Sequence, residues 1–110
     1  MIKDRFVRIK MVKRHPNQRP MSYVGKVTAF SENWVVVDGK GVMLNRHEST
    51  GAQVDKVTSA MMIPRESIES IRVLPDNFNM EKISVTTSGQ QLVLYVDGQR
   101  DAFIGELGEG

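Results

Sequence analysis

The sequence predicts an all-β fold: a small, strongly bent barrel over residues 1–75, extended within the same domain by a β-meander over residues 76–110. Three observations carry this. β-branched and apolar residues alternate with polar ones along most of the chain, the period of a half-buried strand. Proline and glycine interrupt the apolar runs again and again, leaving little room for long helices. The stretch AMMIPRESIESI, residues 60–71, ends one apolar run at Pro64 and resumes another a single short turn later. Two strands joined so tightly belong to a sheet that curls.

In chain order, Val7, Ile9 and Met11 alternate with Arg8 and Lys10, which predicts a strand over 5–13 with its charges on the exposed face. Its β-branched content outweighs the near-helical spacing of Ile2, Phe6 and Ile9. RHPNQRP, residues 14–20, carries two prolines and cannot continue a ladder. It is a basic loop. A strand follows over 22–30, then a break at Ser31-Glu32-Asn33, then the aliphatic run Val35 to Val37. Gly39 and Gly41 flank a bend after which the strand resumes at Val42. Residues 45–56 are polar and turn-rich, which predicts a long exposed loop. Strands over 57–63 and 68–74 bracket the Pro64 turn. Beyond Asp76, ISVTT, QLVLYV and AFIG read as the meander, with Asp97-Gly98 as a hairpin signal and an acidic, frayed end.

The net charge of +2 conceals a gradient. Residues 1–30 hold eight basic side chains against Asp4 alone, whereas residues 76–110 hold Lys82 and Arg100 against six carboxylates. A basic end and an acidic end predict two surfaces with different partners. The chain has no cysteine, which excludes disulfides, thiolate metal sites and cysteine nucleophiles. His15 and His47 stand in separate loops with no ligand-spaced carboxylates. GKVT at 25–28 lacks the glycine of a phosphate loop, with Pro20 in its place, and leads into a strand. The expectation is a protein that is not an enzyme and needs no metal or cofactor. Neither a signal-peptide core nor an apolar run of membrane length occurs, so a cytoplasmic protein without membrane association is expected.

Two segments resemble the Sm/LSm family, including bacterial Hfq. VGKVTAF followed by SENWVVV is similar to the family's first motif, and MMIPRESIESI to its second; the resemblance covers roughly residues 7–74. The resemblance implies a five-stranded Sm-like (SH3-type) barrel that self-associates into a ring, the strand at 57–63 pairing with a neighbour's strand at 68–74. Met61, Met62, Ile63, Ile68 and Ile71 would then form the oligomer interface. It also implies single-stranded RNA binding. Asn33 falls on the base-contacting position, and Arg65 follows the strand end where the Hfq pattern has a lysine. The sequence departs from the family at Ser31, where an aspartate is common, and at Pro64, where eukaryal and archaeal members carry arginine.

The candidate RNA-binding residues are Lys13, Arg14 and Arg19 in the basic loop, Asn33 and Trp34 at the break, and Arg65. Trp34 either stacks a nucleobase or closes a core or interface. Arg65 either contacts phosphate or base or pairs with Glu66 or Glu69. The basic loop either tracks a nucleic-acid backbone or is a solvated tip. The competing reading is an assembly module on the same scaffold that binds a protein partner through the acidic extension and no RNA.

Overall fold

The computed structural model describes residues 2–109 and is all-β. Nine strands form two antiparallel sheets: β1 (Phe6–Met11), β2 (Met21–Phe30), β3 (Trp34–Leu44), β4 (Ala52–Val54), β5 (Ser59–Pro64) and β6 (Ile68–Val73) in one, β7 (Val85–Ser88), β8 (Gln91–Leu94) and β9 (Ala102–Glu106) in the other. The first sheet runs β4-β3-β2-β1-β6, with β5 on the same edge of β3 as β4. β3 is long enough to hold both. Its first half, Trp34 to Gly39, pairs with β5, and its last three residues pair with β4.

β5 and β6 occupy opposite ends of this sheet, yet only the 3₁₀ turn Arg65–Ser67 joins them. The sheet must therefore curl until its ends come within one turn of each other. Gly25 and Gly39 permit the curl. They face each other across β2 and β3, and a Cβ on Gly25 would stand 2.4 Å from the Asp38 carbonyl oxygen. A bulge between Val27 and Ala29 adds further twist. Among the described residues no ladder joins β5 to β6, so each keeps one unpaired edge.

Alternation along the strands builds two cores, one on each face of the first sheet. The inner face gathers Val7, Ile9, Val27, Val35, Val37 and Ile63 in the hollow of the curl. The outer face presents Val24, Val42, Leu44 and Leu74, against which Leu92, Leu94, Val96, Ala102 and Ile104 of the C-terminal region pack. The meander thus covers an apolar face of the first sheet. Removing residues 76–110 is expected to expose that face and yield an aggregating protein, measurable by light scattering of the 1–75 fragment beside the whole chain.

Several expectations change in detail. β3 is continuous through Gly39 and Gly41, because β2 pairs with it along its whole length. The polar stretch 45–56 contains β4, held by its ladder to β3. Pro64 closes β5 from inside, opposite Trp34, a position an edge strand tolerates. The β8–β9 connection is a longer loop over 95–101 that includes Asp97-Gly98, while the tight hairpin lies at Gly89-Gln90. The acidic end is held as far as Leu107, which donates its N–H to the Gln90 carbonyl at 2.8 Å and is half-buried; Gly110 lies outside the described residues.

The largest correction concerns Arg8 and Lys10, which are not exposed; each is only 6% accessible. β1 lies between β2 and β6, and the C-terminal sheet lies over the face carrying its charges. Lys10 Nζ sits 5.7 Å from the centre of the Phe103 ring and 3.1 Å from Glu69. Alternation located the two faces of β1, but what covers the second face is a tertiary matter.

Candidate nucleic-acid interface

The Arg65–Ser67 turn is a junction of three segments far apart in sequence. On one side Arg65 donates its N–H to the Asn33 carbonyl at 2.9 Å, tying the turn to the β2–β3 corner. On the other, Ser67 accepts twice from the basic loop: its carbonyl from the Val12 N–H at 2.8 Å, and its Oγ from Arg14 Nη2 at 3.0 Å. The loop is also pinned internally, the Arg14 N–H donating to Gln18 Oε1 at 2.7 Å. These bonds bring Asn33, Trp34, Arg65 and Arg14 to one corner of the molecule.

Trp34 faces outward. Val35 and Val37 point into the inner core, so Trp34 and Val36 project from the opposite face, beside Pro64 and Met62 of β5. The indole is 42% exposed, which removes the buried-core alternative within this chain. With Asn33, Pro64, Arg65 and Glu66 it lines a shallow cleft of about 310 Å³. Ser31 closes the corner by donating its N–H to the Trp34 carbonyl at 2.8 Å. This fixes the backbone that carries the ring.

Arg65 is exposed, and its guanidinium carbon lies 5.7 Å from the centre of the Phe30 ring. Among the described residues no ion pair joins it to Glu66 or Glu69; Glu69 is taken by Lys10. The charge therefore stays available at the rim of the cleft. Phe30, which the sequence reading passed over as a site residue, orients this guanidinium through its ring face. Its position one residue before the Ser31 break was the available signal.

The remaining candidates divide. Lys13 is half-buried in the pinned loop. Arg19 adjoins Pro20, whose carbonyl accepts from the Leu44 N–H, so this end of the loop is fastened to the end of β3 and not to the turn. Ile63 is a core residue, 3% accessible. Met61, Ile68 and Ile71 are half-buried around the inner core, whereas Met62 is 63% exposed on the outward face. Ile68 and Ile71, with Ile2, Phe30, Val35 and Arg65, also line an apolar hollow of about 380 Å³ between the sheet ends.

No group of three or more histidine, aspartate or glutamate residues suited to a metal occurs among the described residues. No helix among them is long and apolar enough to cross a membrane. No protein-family model, curated protein or solved structure matches this chain.

Proposed function

We propose that this is a cytoplasmic, non-catalytic Sm-like protein that binds single-stranded RNA at the Arg65–Ser67 corner. The observation that carries the reading is the outward Trp34 sharing one cleft with Asn33 and the unpaired Arg65, with the Arg14-bearing loop tied to the same turn. An aromatic face, an amide and two guanidiniums meet the needs of an unstacked base and its phosphate. Element order adds partial support: the strand, basic loop, strand, three-residue break and long strand at the start, and the strand, proline turn and strand at 59–73, follow the order on which the family resemblance rests, with β4 as an addition between them.

Ring formation belongs to the same proposal. β5 and β6 each keep an unpaired edge, and pairing β5 of one copy with β6 of the next would cover both. Heterologous contacts of this kind close into rings when the rotation permits. The apolar hollow between the sheet ends lies beside these strands.

The test is binding of a fluorescent single-stranded RNA, followed by anisotropy across a salt series. Wild type is expected to bind with an affinity that falls steeply as salt rises, because backbone contacts release counterions. Reversing two of the loop charges in Arg14→Glu/Arg19→Glu is expected to lower affinity at least tenfold and to flatten the salt slope. Salt-independent or undetectable binding by folded wild type refutes the reading.

One observation favours the alternative, an assembly module without RNA binding. Trp34, Val36 and Met62 form a partly exposed apolar strip on the outward face, the kind of surface that a protein partner covers. Recovery of one stoichiometric protein partner and no RNA would select it.

A further inference from the structure

Arg8, one of the two buried charges of β1, lines a second cleft, separate from the Arg65–Ser67 corner. Arg8 of β1 and Arg72 of β6 are directly opposite each other in the ladder. Like charges so placed repel, and among the described residues neither arginine forms an ion pair with a carboxylate. Glu69, which attracts the Arg8 charge, is 3.1 Å from Lys10. Asp101 directs its Oδ1 to the Val96 N–H at 3.1 Å. Burial, and secondarily Arg72, push the Arg8 pKa down from its ordinary value.

The donors are partly committed in a way that holds them in place. Arg8 Nη1 donates to Ser70 Oγ at 2.9 Å, while its buried Nε has no partner. Arg72 donates to the main-chain carbonyls of Asp101 and Arg100, which fastens the β8–β9 loop over the first sheet. Arg100, whose main chain makes that contact, is exposed and lines the same cleft. With Ser88, Gln91, Val93, Asp101 and Phe103, the three arginines line an open cleft of about 520 Å³. Three positive groups against one carboxylate leave an excess of two charges. A buried guanidinium nitrogen left without a partner in a residue that lines such a cleft is a costly arrangement.

We propose that this cleft binds a small phosphate monoester. A monoester carries about −1.5 to −2 charges at neutral pH, which matches the excess, and its oxygens accept several charge-assisted hydrogen bonds. The Arg8–Arg72 pair and Arg100 take the phosphate. Ser88 and Gln91 supply neutral polar groups, and Val93 with Phe103 forms an apolar wall for the organic part. The ligand relieves the Arg8–Arg72 repulsion, so binding and folding stability are linked.

The experiment uses the whole chain with two probes, inorganic phosphate and phenyl phosphate, against sodium chloride at equal ionic strength. Thermal unfolding is expected to shift upward by about 5 °C at ten times the dissociation constant of either probe, and not with chloride. Phenyl phosphate is expected to bind at least fivefold more tightly than inorganic phosphate, through the Phe103 wall. Arg100→Ala removes an exposed side chain, so the fold persists, and should weaken both probes about tenfold. Arg46→Ala, in the exposed 45–51 loop, should leave the response intact. Equal shifts in phosphate and chloride, or an unchanged response in Arg100→Ala, overturn the site. Equal affinity for the two probes overturns the ester assignment.

Discussion

Alanine at Gly25 is expected to destabilise the protein by about 3 kcal/mol, the upper end of what overpacking costs, and to leave little folded protein at 37 °C. The added Cβ would stand 2.4 Å from the Asp38 carbonyl oxygen and 2.5 Å from Gly39 Cα. Both obstacles are backbone, so no rotamer change relieves them. Gly39→Ala meets the Val24 carbonyl at 2.3 Å and should behave alike. Relief requires β2 and β3 to part at their bend, which opens the curl that brings β5 and β6 together. Chemical denaturation by circular dichroism checks this, and a loss below 1 kcal/mol would show that the close approach is not needed for the curl.

Trp34→Ala should do the opposite: leave the fold nearly unchanged and remove RNA affinity. The side chain is 42% exposed at a strand entrance, so its truncation is expected to cost under about 1 kcal/mol of stability, in the range of surface changes. Base stacking is worth about 1 to 3 kcal/mol per base, which corresponds to roughly a 5- to 150-fold loss of affinity. Trp34→Phe should restore much of it, because the requirement is an aromatic face. Unchanged affinity in Trp34→Ala would remove the stacking role and favour the outward apolar strip as a protein contact.

The candidate site was legible in parts. Trp34 stood out because it is the only tryptophan and sits at a strand entrance beside polar residues. The basic loop stood out because proline and arginine alternate where no strand can continue. That Arg14 reaches Ser67, 53 positions away, could not be read, since the contact exists only once the sheet has curled. Nor could sequence separate the two arginine environments. Arg14 and Arg8 both belong to the basic first third, yet one is exposed and the other is buried under the C-terminal sheet.

By itself the sequence determined the all-β class, most of the strands in their order and the proline turn at Arg65–Ser67, because local sterics and a period of two act on neighbouring residues; β4 escaped it, because only its ladder to β3 defines that strand. Only the tertiary structure decided which faces are covered and which charges meet. The C-terminal sheet packs on the outer face of the first, and that one choice turns Arg8 and Lys10 from surface charges into buried ones and sets Arg72 against the 95–101 loop. Burial is a property of what lies opposite a side chain. A strand's own residues specify its two faces, and long-range packing alone specifies what each face meets.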